Sequence, residues 1–183
     1  MNICVFCSSN EGLAKEYYES GYEVGKLIAT NGHNLVFGGY TKGIMGAVAN
    51  GALENGGKVI SVIPKILSNT RPNFIKGADV ILTETMSIRK DKMLELSDAF
   101  ISLPGGIGTL DEVFQVIAMN VVGECSKPVA FLIQGETQRA LQNFLKQAVN
   151  EGFITKEKLA TIGLCATPEE LIAYIVSERG KLK

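Results

Sequence analysis

The sequence lacks an excess of charge of either sign. Its 183 residues hold 18 lysines and arginines against 19 aspartates and glutamates, so the formal net charge is -1. Proteins that bind a nucleic-acid backbone or an anionic membrane surface usually concentrate positive charge. We therefore expect no nucleic-acid partner, and a small molecule fits this composition better.

Long apolar runs are also missing. No stretch approaches the roughly 20 apolar residues of a membrane span, and no basic leader precedes the apolar residues that follow Met1. We expect a cytoplasmic protein with no membrane partner. With 46% hydrophobic residues and no repeat or linker, the chain is predicted to form one globular domain over residues 1–183.

Candidate metal ligands are few. The chain has one histidine, His33, and four cysteines, of which Cys4 and Cys7 form a Cys-x-x-Cys pattern. That pattern can mark a redox pair or a zinc site. Here the pattern overlaps a predicted strand, whereas a redox pair is expected at the start of a helix. A zinc site would need more ligands than this pair and one histidine. We predict buried core cysteines, no metal and no cofactor.

Short apolar runs alternate with amphipathic segments along the chain. The runs predict strands, and the segments between them show helical periodicity with glycine at their ends. The least regular stretch, 64–77, is predicted to be a surface loop, or a lid over a site. The predicted strands are 2–6, 34–37, 59–63, 80–82, 99–103 and 129–133, and the predicted helices include 13–31, 43–55, 86–97 and 112–122.

The alternation of these elements predicts the fold class. Continuous apolar strands are buried on both faces, and intervening helices allow parallel pairing. We therefore predict an α/β fold with a single, mainly parallel, doubly wound sheet of the Rossmann-like kind, covered by helices on both faces.

Two glycine-rich turns, 38–46 and 104–109, each join a strand end to a helix start. Glycine lets a ligand approach the backbone there, and the free N–H groups of a helix start favour an anion. Tight turns also need glycine for geometry alone. Because open α/β sheets bind ligands at the carboxyl ends of their strands, two such turns favour phosphate binding.

The predicted helix 86–97 carries two cations on its inward face. Helical spacing places Arg89 and Lys90 beside Met86 and Met93, while Lys92 lies on the other side. The two cations either extend to solvent at the edge of the apolar stripe or bind a phosphate or ribose. We favour the second interpretation.

The helix after the second turn poses the same question with a carboxylate. Glu112 aligns with Val113 and Val116, whereas Asp111 and Gln115 point elsewhere. A carboxylate on this face suits acid and base chemistry. Thr109 and Glu112 also have the spacing of a capping box, in which Glu112 would only bond the backbone. Spacing alone leaves both interpretations open.

These residues resemble a known family. Residues 104–112, Pro-Gly-Gly-Ile-Gly-Thr-Leu-Asp-Glu, are similar to the Pro-Gly-Gly-x-Gly-Thr-x-x-Glu signature of the LONELY GUY family of cytokinin riboside 5'-monophosphate phosphoribohydrolases, formerly labelled lysine decarboxylases. The companion segments occur in order from 5–9 to 97–101. One departure is Tyr40, which stands where the family usually has glycine and is expected to make that wall bulkier.

The resemblance implies site residues and a reaction. Arg89 and Glu112 would be catalytic, and the reaction would be hydrolysis of the N-glycosidic bond of a nucleoside 5'-monophosphate, of the cytokinin type or another purine, without a cofactor. The implied substrate-binding residues are Ser8, Gly39, Lys90, Gly105, Gly106, Gly108, Thr109 and Asp111.

Three other functions are compatible with parts of the pattern. A non-catalytic nucleotide or molybdenum-cofactor carrier would share the fold and glycine turns, but it would not require both Arg89 and Glu112. A nucleotide-sensing module would bind without turnover. A true lysine decarboxylase would need a pyridoxal phosphate site with a Schiff-base lysine, which no pattern here indicates.

A homodimer is also expected. The family resemblance implies one, and the predicted helix 112–122 shows Phe114, Ala118 and Val122 on a second apolar side. Such a helix needs another surface to cover it, and a two-fold interface provides one. Residues near Met119 and Val122 would then border the base pocket of the partner subunit.

Overall fold

The computed structural model describes the backbone of residues 1–70 and 74–181. Within these ranges the chain forms one sheet of seven parallel strands in the order β4-β3-β2-β1-β5-β6-β7. The strands are β1 (Asn2–Phe6), β2 (Asn34–Phe37), β3 (Val59–Pro64), β4 (Asp79–Thr83), β5 (Ala99–Ser102), β6 (Val129–Leu132) and β7 (Ile162–Cys165).

Helices connect the strands and cover both faces of the sheet. They are α1 (Lys15–Thr30), α2 (Gly43–Glu54), α3 (Lys65–Thr70), α4 (Met86–Leu96), α5 (Ile107–Val122), α6 (Gly135–Asn150), α7 (Lys156–Ala160) and α8 (Pro168–Lys181). Helices α1, α2 and α8 pack on one face, and α4, α5 and α6 pack on the other. The predicted doubly wound α/β fold is confirmed.

The central strands are buried along almost their whole length, as parallel pairing between two helical layers requires. Strand β4 differs because it is an edge strand. Val80 and Leu82 on it are exposed. The prediction that 80–82 forms a strand is therefore confirmed, but this strand is not buried on both faces.

The strand order places a topological switch beside β1. The chain runs from β1 through β2 and β3 to β4 on one side, then returns to β5 on the other side of β1. The connections after β1 and β5 therefore diverge at the carboxyl edge of the sheet, which opens a crevice there. Both glycine turns follow strands at this edge.

The prediction of a loop over 64–77 is partly wrong. Residues 65–70 form α3, directly after β3. Positions 71–73 lie outside the described residues. The sequence 65–70, Lys-Ile-Leu-Ser-Asn-Thr, has too few apolar positions to show a helical period, so only the folded chain reveals this short helix.

Cys4 and Cys7 are buried and free, as predicted. Burial raises the pKa of both thiols, because a thiolate would lose its hydration in the core. Neither cysteine therefore has the lowered pKa of a reactive thiol. Within the described residues, no group of three or more His, Cys, Asp or Glu side chains is arranged to hold a metal ion.

Candidate active site

Helix α4 carries Arg89 into the protein. The Thr85 side chain caps the helix by accepting a hydrogen bond from the Ile88 backbone N–H at 3.2 Å. One turn later Arg89 is 5% exposed, and Met93 lies below it in the core. Met86 was predicted on the same face but is exposed, and it stands at the first position of the helix.

Three groups fix the Arg89 guanidinium. Its Nε donates a hydrogen bond to the Val62 carbonyl of β3 at 3.0 Å, and its Nη1 forms an ion pair with Glu112 Oε1. Gly38, in the first glycine turn, completes the pocket, because a Cβ at that position would collide with Arg89 Nη2. This glycine is therefore required by the arginine as well as by the turn.

Glu112 comes from helix α5, which begins at Ile107 with Gly106 as its N-cap. No side chain caps the helix, and Thr109 already lies inside the first turn. The capping-box interpretation is therefore wrong. Glu112 is 7% exposed and bonds Arg89 instead.

Burial dominates the electrostatics of Glu112. It raises the pKa of the carboxyl group above its usual range, and the neighbouring charge of Arg89 opposes this shift. Asp111 raises the pKa of Glu112 further, and Lys90 lowers it. A carboxyl group whose pKa is shifted by burial and by a specific charged partner is a candidate for acid and base catalysis.

Lys90 and Asp111 form a second ion pair beside the first. Lys90 Nζ lies 2.9 and 3.0 Å from the two carboxylate oxygens of Asp111. The Lys90 side chain is partly buried, whereas Asp111 is exposed. Helices α4 and α5 are thus joined by an inner, buried ion pair and an outer one.

The second glycine turn has two kinds of glycine. A Cβ at Gly105 would collide with the Thr109 side chain, which is itself buried. By contrast, a Cβ at Gly106 or Gly108 would meet no atom within 4 Å. Gly105 therefore serves packing, and the backbone at Gly106 and Gly108 is open to an approaching ligand at the start of α5.

In the crevice beside β1 lies a cleft with a volume of about 250 Å³. Ser8 lies at the edge of the cleft, where its backbone N–H donates a hydrogen bond to the Pro104 carbonyl at 3.1 Å. The cleft is lined by Ser8, Asn10, Leu13, Tyr17, Ile44, Pro104, Gly105, Gly106, Gln134 and Thr137.

Some of these lining residues were predicted and others were missed. Of the predicted site residues, Ser8, Gly105 and Gly106 line the cleft. Its lining does not include the other predicted residues Arg89, Lys90, Gly108, Thr109, Asp111 and Glu112. Gly39 does not line the cleft, because it is buried against Ile63. Its φ of +83° is one that only glycine adopts readily. Gln134 was missed, although its position after the predicted strand 129–133 places it at the same edge of the sheet.

Tyr40, the expected departure in the first turn, packs against the core cluster formed with α1 and α2. Its backbone N–H donates a hydrogen bond to Met45 Sδ at 3.4 Å.

Within residues 1–70 and 74–181, no helix is both long enough and apolar enough to cross a membrane.

Comparison with known proteins identifies the family. The profile of a family described as possible lysine decarboxylase matches residues 45–175. A probable cytokinin riboside 5'-monophosphate phosphoribohydrolase of Oryza sativa subsp. japonica is 42% identical over 93% of this chain and 70% of its own length. A cytokinin riboside 5'-monophosphate phosphoribohydrolase of Rhodococcoides fascians is 36% identical over 96% of this chain and 89% of its own length.

Solved structures with this fold include proteins that bind or carry the molybdenum cofactor. A molybdenum cofactor binding protein from Rippkaea orientalis has a TM-score of 0.74 and 24% identity, and it covers 96% of this chain and 95% of its own. The Moco carrier protein of Chlamydomonas reinhardtii has a TM-score of 0.73 and 25% identity over 98% of both chains. The sequence relatives are more similar, and they decide the assignment: this chain belongs to the family of the cytokinin riboside 5'-monophosphate phosphoribohydrolases.

Proposed function

We propose that this protein hydrolyses the N-glycosidic bond of a purine or cytokinin-type nucleoside 5'-monophosphate and releases the free base and ribose 5-phosphate. The observation that carries the proposal is the buried Arg89–Glu112 ion pair next to an open glycine turn. The names of the sequence relatives support the same reaction.

Cleavage of this bond develops positive charge on the ribose ring. Glu112 is proposed to stabilise that charge and to accept a proton from a ribose hydroxyl or from the attacking water. The water oxygen bonds to the anomeric carbon as the bond from that carbon to the base nitrogen breaks. The bonding pair leaves with the base, which takes up the proton released from the water. Arg89 orients Glu112 and donates hydrogen bonds to ribose or base.

The start of α5 is proposed to bind the phosphate. Gly106 and Gly108 leave its backbone N–H groups accessible, and the helix dipole favours an anion there. Ser8 and Gly105 line the cleft at this region, and the side chain of Thr109 packs against Gly105. The Lys90–Asp111 ion pair is proposed to border the bound phosphate. Gly39 takes part only by supporting the first turn from beneath.

A non-catalytic carrier is the chief alternative, because carriers share the fold. The Arg89–Glu112 pair argues against it. Burying two charges costs free energy that burial of apolar side chains would not. A carrier gains nothing from that cost, whereas a hydrolase uses both groups.

A homodimer is part of the proposal. Of the residues predicted on the second apolar side of α5, Ala118 is exposed and Val122 is 70% exposed. The prediction for Phe114 is wrong, because its ring packs against Phe131 and the core of this chain. Ile107, at the start of the helix, is 89% exposed. A partner subunit would cover this side, and residues near Met119 would then border the partner's base pocket.

We also propose one domain over residues 1–183. A cytoplasmic location is proposed as well, and the four free cysteines support it.

The function is tested by incubating the protein with a panel of nucleoside 5'-monophosphates that includes AMP and isopentenyladenosine monophosphate. Chromatography should detect free base and ribose 5-phosphate in equal amounts. Nucleosides without the phosphate should react much more slowly. Binding of the nucleotides without any release of base would instead support a carrier or a sensor.

A further inference from the structure

A small, partly open cavity lies beside Glu112, between α4, α5 and the sheet. Its volume is about 10 Å³. Three polar side chains line it, those of Lys90, Glu112 and Gln115. The remaining walls are apolar and include the stacked rings of Phe6 and Phe100, whose centroids are 5.8 Å apart.

Gln115 faces this cavity with an unsatisfied acceptor. It lies one helical turn after Glu112, so both side chains share a face of α5. Gln115 Oε1 is buried and has no hydrogen-bond partner among the described residues. A buried amide oxygen without a partner is unfavourable, so native proteins usually supply one.

The size and polarity of the cavity identify the missing partner. A volume of roughly 10–15 Å³ holds one water molecule, provided that two or more polar groups reach it. We propose that Gln115 is a positioning residue that, together with Lys90, holds a single water molecule against the Glu112 carboxylate.

The available donors and acceptors match such a water. Glu112 bonds Arg89 through Oε1, and no hydrogen bond from the described residues reaches Oε2. The water donates one hydrogen bond to Glu112 Oε2 and the other to Gln115 Oε1. It accepts one from Lys90 Nζ, which has three N–H groups and uses two on Asp111.

This water stabilises the ionised form of Glu112. Burial works against that form, and the charges of Arg89 and Lys90 favour it, while Asp111 and any thiolate at Cys4 or Cys7 would oppose it. A hydrogen bond donated to the carboxylate adds to the favourable side and fixes its orientation. The catalytic consequence rests on the proposed function, but the water and its effect on the carboxyl group do not.

The test replaces Gln115 by methionine, which has nearly the same shape but cannot accept the water's hydrogen bond. Carbon-13 NMR of the side-chain carboxyl groups, assigned with Glu112→Gln, reports the pKa of Glu112 without any substrate. We expect Gln115→Met to raise the pKa of Glu112 by about one unit, a tenfold change in its ionisation constant. Gln142→Met on α6 is the matched control and should leave the pKa unchanged.

A high-resolution crystal structure of the unmodified protein supplies a second measurement if Gln115→Met fails to fold. One ordered water within hydrogen-bond distance of Glu112 Oε2 and Gln115 Oε1 is expected. No such water, or an unchanged pKa in a folded Gln115→Met protein, overturns the inference. If no nucleotide is hydrolysed but the water and the pKa shift are found, only the proposed function fails.

Discussion

Arg89 and Glu112 depend on each other at the level of single residues. Each would be an unpaired buried charge without the other, and such a charge is unfavourable in a protein interior. Arg89 also satisfies the Val62 carbonyl. Replacing either residue therefore changes stability and chemistry together, so tests of their roles need both measurements.

We predict that Arg89→Ala lowers kcat by about 10²- to 10³-fold, more than it changes KM, because the guanidinium acts mainly in the transition state. The same variant should lose about 3 kcal/mol of unfolding free energy, since Glu112 is left without its partner. Steady-state kinetics and urea unfolding measure the two effects.

Lys92→Ala is the control for this prediction. Lys92 lies on the same helix and forms an ion pair with Glu95, three residues later on the helix surface. Its removal should change stability by less than about 0.5 kcal/mol and leave turnover intact. Equal losses of activity in the two variants would contradict the assignment of Arg89 to the site.

For Glu112→Gln we predict a loss of turnover of about 10²- to 10⁴-fold with a folded protein, because the amide keeps the size of the side chain but cannot accept a proton. The Michaelis constant should change less than kcat. Activity retained in a protein with a much lower melting temperature would show that Glu112 is only structural.

The same variant predicts a pH dependence of stability. Because the pKa of Glu112 is raised in the folded state above its usual value of 4.5, ionisation of this group opposes folding. The wild-type protein should therefore lose unfolding free energy relative to Glu112→Gln as the pH rises above about 4.5. Urea unfolding of both proteins from pH 4 to pH 8 measures this difference, and the opposite slope would contradict the raised pKa.

At the scale of helices and strands, the sequence predicts the central elements well. The run 34–37 coincides with β2 because three apolar residues, 35–37, follow Asn34 and end at a glycine pair. Strand β7 was missed. It has only four residues, and glycine in its interior leaves too little alternation to distinguish it from a loop.

The start of α5 shows the limit of local signals. Thr109 and Glu112 have capping spacing, yet the helix begins two residues earlier, at Ile107. The N–H groups of the first helical turn have no acceptor within the helix, so a ligand or water can accept their hydrogen bonds. A helix therefore need not begin at a capping side chain.

Periodicity placed Arg89 and Glu112 on inward faces, but it could not bring them together. Their contact depends on how α4 and α5 lie against the sheet, and on Gly38 leaving space for the guanidinium. Gln115 was predicted to point elsewhere and instead lines the cavity beside Glu112. The inward face of α5 is wider than a single apolar stripe, because α5 meets α4 and the strands β1 and β5 at this cavity.

At the scale of the whole molecule, the exposed side of α5 carries the assembly prediction. We expect Val122→Glu to weaken dimerisation at least about a hundredfold, because it would bury an unpaired carboxylate in the interface. Activity should fall with the dimer, since each base pocket is proposed to need the partner. Size-exclusion chromatography with light scattering measures the assembly.

Val176→Glu on α8 is the matched control, because Val176 is also an exposed valine on a helix. It should leave both the dimer and the activity unchanged. A wild-type monomer that is fully active at nanomolar concentration would contradict the prediction, and with it the idea that the partner subunit shapes base specificity.

The two kinds of glycine in the second turn have a consequence for protein engineering. Alanine at Gly105 strikes Thr109 and would be rejected by any selection for thermostability. Alanine at Gly108 meets open space inside a helix, where it should raise stability. Selection for thermostability alone would therefore enrich changes where the phosphate is proposed to bind, and such a variant would bind its substrate less well although its melting temperature rises.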